Sequence, residues 1–275
     1  MKLQFLGSGA AVWALGASVA LANAAFACET CHKELTTTTQ ASALQTPGSG
    51  RKPLAKTPDL VLKAASVTYR RDLDLLIFEQ SVRGVAGGTK PKARGQMNGA
   101  PVVGYVFPTS LKSQDVGFSA TPGIVALAVT SHPDFDDSPL WDENGDGQTG
   151  NDGLTYHTHW VVLVPDKRVP GGLAVKEYRP ADAVVLPPTA PKMPMFMDSP
   201  GYSVVTRGDT IRVLVPAARI ANRTDFKFDA VTAYMEVSTD EGRPMLGVYQ
   251  VYSVLSGDLS LPYRVVTRAG EKSGP

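Results

Sequence analysis

The sequence predicts an all-β fold, an antiparallel β-sandwich of the jelly-roll kind with few short helices. Two observations carry this expectation. From Leu60 onward the chain is a series of short runs that are either apolar throughout or alternate apolar with polar, the two patterns of strands. Turn-forming residues separate these runs, and 21 Pro and 26 Gly in 275 residues leave little room for long helices.

The elements follow in chain order. "SVTYRRDLDLLIFEQSVRGV" reads as a hairpin folded at the polar Arg71-Asp72 turn. "PVVGYVF" (Pro101 to Phe107) and "GIVALAVT" (Gly123 to Thr130) are apolar runs of strand length, and "YHTHWVVLV" (Tyr156 to Val164) continues the series. "YSVVTR" and "TIRVLV" follow as two more strands. In "VPAARIANRTDFKFDAVTAY" one helical turn is expected at Ala217 to Ala221, on the way into a strand. "DAVTAYMEVS" and "MLGVYQVYSVL" flank the turn "TDEGRP" and make a clear hairpin. The expected β-domain is 60–268, with a disordered tail at 269–275.

Residues 1–24 read as a signal peptide: Lys2 gives a positive start, Gln4 to Ala24 is uncharged and rich in Gly, Ala and Ser, and Ala22-Asn23-Ala24 fits an A-x-A cleavage site. A membrane span would call for about 20 strongly apolar residues, which no segment supplies. A periplasmic or secreted protein is expected. Residues 25–35 hold the two cysteines, and 36–59, polar and rich in Thr, Ser and Pro, read as a flexible linker. After the signal peptide roughly 250 residues remain, one large domain or two small ones. The 43% hydrophobic content can fill a core, and two cysteines cannot build a disulfide framework. A formal net charge of +1 speaks against a nucleic-acid partner, which calls for a basic stripe.

Three clusters carry possible chemistry. Cys28-Glu29-Thr30-Cys31-His32 has the C-x-x-C-H spacing of covalent haem attachment: two thiols for the two vinyl groups and a histidine for the iron. The same pair also suits a tight disulfide or a soft-metal clamp. Haem c would make the protein a monohaem electron-transfer protein with a redox partner. In the second cluster, "WDENGDGQTGNDG", Asp142, Asn144 and Asp146 follow D-x-N-x-D-G. Oxygens at alternate positions of a curled loop converge on one point, which suits Ca²⁺. The twelfth position is Gly153 where an EF-hand has Glu, so the missing carboxylate is sought in Asp152 or in Asp134, Asp136 and Asp137. A solvated acidic turn is the plain alternative.

The third cluster is "YHTHW" with "MPMFM". On a strand His157 and His159 share one face, with Tyr156, Thr158 and Trp160 on the other. Such a pair presents two imidazoles to copper or zinc. Met193, Met195 and Met197 have the same period, so an extended segment points three thioethers one way, toward Cu(I), haem iron or a sandwich core. His132 is grouped with the acidic segment. G-x-S-x-G, H-E-x-x-H and Walker spacing are all missing, which speaks against an enzyme.

"TIRVLVPAARI…FKFDAVTAYMEV" resembles the carbohydrate-binding and haem-binding β-sandwiches of the DOMON-like group: a strand ends in Val-Pro, a short turn follows, and a strand begins after an aromatic. The resemblance covers under a third of the chain and implies sandwich architecture. The functional expectation is a metal-binding β-protein with a structural calcium loop and a His/Met transition-metal site. Its rivals are the c-type haem protein and a carbohydrate- or partner-binding module contacting its ligand through Trp141, Tyr156 and Trp160.

Overall fold

The computed structural model describes residues 53–92, 94, 96–132, 155–179, 181–191 and 193–269. The chain divides into two units, Met1–Thr38 and Thr39–Pro275, and all the described residues belong to the second. The strands are β1 (Leu62–Arg70), β2 (Leu75–Val82), β3 (Pro101–Pro108), β4 (Ile124–Ser131), β5 (His157–Pro165), β6 (Leu173–Val175) and β7 (Met197–Asp198). There follow β8 (Ser203–Arg207), β9 (Thr210–Pro216), β10 (Lys227–Phe228), β11 (Val231–Val237), β12 (Leu246–Val254), β13 (Tyr263–Arg264) and β14 (Val266–Arg268). Among the described residues helix is confined to 3-10 turns, at Pro58–Leu60, Ser113–Val116 and Ala217–Ile220. The fold is all-β.

It is not a plain sandwich. β3, β4, β5, β6, β12 and β11 pair in that order, and β11 returns to β3 to close a six-stranded barrel. The closing element on one side is β6, three residues long, which pairs with both β5 and β12. A strand that short carries almost no periodicity, so the closure is invisible in the sequence. A second sheet, in the order β14-β1-β2-β9-β8, lies against the β3-β4-β5 flank. Its β1–β14 pairing is parallel, whereas the other strand pairings among the described residues are antiparallel. Both predicted hairpins are present: β1 pairs with β2 from Arg70↔Leu75, and β11 with β12 from Val237↔Leu246.

The strand patterns report which faces are covered. β2 alternates half-buried with buried, because one face meets the core and the other meets water. β3 is buried at all eight positions, and β4 and β11 nearly or wholly so. These strands face the barrel interior on one side and a second layer on the other. Val102, Ala128, Val161, Ala233 and Val248 pack in the interior cluster. Tyr105, Leu127, Trp160 and Val162 point outward to Val67, Phe78 and Val213 of the second sheet. Phe78 sits edge-on to Phe107 and Trp160, with centroids at 5.3 and 6.2 Å. Each such aromatic pair adds about 0.5–1.5 kcal/mol beyond its area.

The ordered body begins before residue 60, so the expected linker at 36–59 ends too late. Leu60 is fully buried and Asp59 nearly so. The Asp59 carboxylate accepts from the backbone N–H and the hydroxyl of Thr89, at 2.7 and 2.9 Å. Polarity led to the linker assignment, but a buried carboxylate with such donors is tolerated. Residues 25–35, the rest of the linker and the tail from 270 onward lie outside the described residues.

Candidate metal centre

The site forms where β4 ends and β5 begins. β4 and β5 pair from Ile124↔Leu163 to Thr130↔His157. Side chains alternate along a strand, so Ala126, Ala128 and Thr130 face the barrel interior, and His132, next in that series, continues their side. On β5 the interior side holds His157, His159 and Val161. His159 lies opposite Ala128 and His157 opposite Thr130. His132 therefore meets His157 on the diagonal, a separation over which aromatic side chains touch.

The three imidazoles form one cluster. Their relative exposures are 1% for His132 and 3% for His157 and His159. Ring centroids are 4.6 Å apart for His132–His157, 4.8 Å for His157–His159 and 5.9 Å for His132–His159. One nitrogen from each lies within 4.8 Å of the others. His132 Nε2 and His157 Nε2 are hydrogen-bonded at 2.8 Å.

The surrounding groups orient the rings. His157 Nδ1 is 2.8 Å from the Thr155 carbonyl oxygen. A carbonyl only accepts, so in the neutral ring Nδ1 carries the proton and Nε2 presents a lone pair. His132 Nε2–H then donates to it. His159 Nδ1 is 3.1 Å from Ser199 Oγ, which leaves its Nε2 turned into the cluster. Holding Nδ1 by an outer group while Nε2 faces a metal is the usual arrangement of histidine ligands. Around a tetrahedral zinc, with bonds of about 2.0–2.1 Å, ligand nitrogens stand about 3.4 Å apart. The close pair has to open by about half an ångström and the widest separation to close by about one and a half ångströms. The His132 proton has to move from Nε2 to Nδ1.

The opposite face of β5 anchors these histidines. Trp160 is fully buried and its Nε1–H donates to Tyr202 Oη at 3.2 Å. Tyr156 donates to the Thr89 carbonyl at 2.6 Å and packs on Tyr105, whose hydroxyl donates to the Asp59 carbonyl. Burial pushes the pKa of both phenols well above the ordinary range. These contacts remove Tyr156 and Trp160 from any solvent-facing ligand platform, because both rings are core residues. Trp141, the third member of that expected surface, lies outside the described residues.

The methionines divide. Met197, paired opposite Val161, and Met193 line the same chamber as His132 and His159. Met195 is fully buried in the interior cluster and does not reach the chamber wall. The segment is also not simply extended, since the N–H of Met195 bonds to Met193 O and that of Met197 to Met195 O. Asp142, Asn144, Asp146 and Asp152 lie outside the described residues, as do Cys28, Cys31 and His32.

Sequence reading found the His157–His159 pair and missed His132. The signal was present in "GIVALAVTSH", where the inward series Ala126, Ala128, Thr130 runs on to His132. Grouping that histidine with the acidic residues after it hid the parity. Comparison with other proteins adds no further assignment. No family model, no curated protein and no solved structure matches this chain.

Proposed function

We propose that this is a periplasmic or secreted metal-binding protein whose transition-metal centre is His132, His157 and His159. The observation that carries the reading is the convergence of three buried imidazoles, two of them with Nδ1 engaged by Thr155 O and Ser199 Oγ. Imidazole donors suit zinc and copper. Met193 and Met197, in the wall of the adjoining chamber, add soft thioethers that favour copper as Cu(I). The compartment rests on the apolar, Ala-rich N-terminus with its A-x-A site.

Two further parts of the proposal rest on sequence alone. Asp142, Asn144, Asp146 and Asp152 are a calcium loop, and Cys28-x-x-Cys31-His32 attaches haem c or closes as a disulfide.

The test is metal content after incubation with Zn²⁺ or Cu²⁺ and exhaustive dialysis. One tightly held equivalent is expected in the wild type, and less than a tenth of it in His157→Ala and His159→Ala. Retention of the equivalent in the variants would place the metal elsewhere. No uptake by the wild type would remove the proposal.

A further inference from the structure

Behind the histidines the barrel interior is not filled. A chamber of about 60 Å³ lies among Val102, Val106, Val161, Ala233 and Val248, with His132 and His159 at its wall. The described residues of that wall include no Asp, Glu, Lys or Arg. An apolar cavity of about 150 Å³ admits benzene, so this one suits a molecule of only a few heavy atoms.

One wall residue makes the chamber more than a packing gap. Thr130 is 4% exposed, and its hydroxyl has no hydrogen-bond partner among the described residues. It sits opposite His157 in the β4–β5 register and on the chamber wall. A buried hydroxyl without a partner is destabilising, because it gives up its bonds to water and gains none. A valine of nearly the same shape would avoid that cost. Threonine at this position makes sense if a bound group supplies the partner.

Three histidines leave a metal with an open position, which in catalytic and ligand-binding sites is taken by water or an exogenous molecule. We propose that the open position of this metal takes a small exogenous ligand with one donor atom and an otherwise apolar body. The donor atom is held by the metal and the Thr130 hydroxyl, and the body lies in the barrel chamber. This inference rests on the metal-centre reading above. The chemistry of the wall sets the ligand class. A charged tail finds no counter-ion there, whereas a short alkyl tail meets Val, Ala and the polarisable Met193, Met197 and Met235.

The experiment uses the full chain loaded with Co²⁺, whose visible spectrum reports both metal uptake and a change of ligand. Ethanethiol and 2-mercaptoethanesulfonate are titrated anaerobically. Both offer the same thiol, which binds as thiolate and releases its proton to water, and they differ in the charge of the tail. Ethanethiol is expected to bind at least tenfold more tightly. Thr130→Val is expected to weaken ethanethiol binding several-fold with the Co²⁺ content unchanged. In a series of longer alkanethiols affinity should fall once the tail outgrows the chamber, well before hexanethiol, and this readout needs no variant to fold. Equal affinity for the two thiols, or affinity that rises steadily to hexanethiol, would overturn the chamber proposal while leaving the metal site standing. Failure to take up Co²⁺ would remove both.

Discussion

At the residue scale the site depends on which imidazole nitrogen faces inward. His157 is set by a backbone carbonyl, which substitution cannot easily remove, but His159 is set by the Ser199 hydroxyl at 3.1 Å. Ser199 is therefore a positioning residue. Ser199→Ala is expected to lower metal affinity about 10- to 100-fold, the usual effect of losing such an outer partner. The melting temperature of the metal-free protein should shift little. Competition against a chelator of known affinity measures the first quantity and calorimetry the second. An unchanged affinity would mean that packing alone orients His159. Asp198, beside it, is held above the ordinary carboxylate range by burial, and the Thr189 hydroxyl donates to it at 2.5 Å. The outward neighbours of the site are thus as fully enclosed as its histidines.

At the element scale the critical event is the pairing of β4 with β5, since it joins two strands of the barrel and brings His132 to His157. Gly123 guards the start of that pairing. Its φ is +144°, and a Cβ there would stand 2.4 Å from Val162 Cγ1 and 2.8 Å from Leu163 O. The clash involves backbone, so no side-chain rotation relieves it. Gly123→Ala is expected to cost about 1–3 kcal/mol in denaturant unfolding. Gly172→Ala is the control: φ is +71° there, but nothing lies within 4 Å of the added carbon. It should cost no more than the backbone strain, about 1 kcal/mol. If the two variants unfold alike, close approach at Gly123 does not limit the pairing. Reading strands from the sequence succeeded at this scale because their patterns are local. "PVVGYVF" and "GIVALAVT" are continuous apolar runs because each is covered on both faces, and β2 alternates because it is covered on one.

At the scale of the whole molecule the centres are expected to contribute to stability independently. A metal that binds only the native state stabilises by about 2.7 kcal/mol at a hundredfold excess over Kd. Adding Zn²⁺ to the metal-free protein should raise the melting temperature, and His159→Ala should abolish that response. Ca²⁺ should raise it separately through the loop, and Asp142→Ala with Asp146→Ala should remove only the calcium response. Deleting residues 25–35 should remove any haem colour and leave both responses and the far-ultraviolet spectrum intact. The reason is that the described strands begin at Leu62 and complete three sheets among themselves. Loss of cooperative unfolding on deletion would show that the cysteine segment is part of the fold.

By itself the sequence determined the all-β class, most of the long strands, both hairpins and the shared face of His157 and His159. Each follows from alternation or from turn residues, which act over a few positions. Only the tertiary structure decided that the larger sheet closes into a barrel, because the closure runs through the three residues of β6 and a return pairing of β11 with β3. It also decided that Tyr156 and Trp160 serve as core, since a layer contributed by β1, β2 and β9 covers them. It decided, last, that His132 joins the pair 25 residues away. Strand register sets that distance, and register depends on how two distant segments bury their apolar faces together.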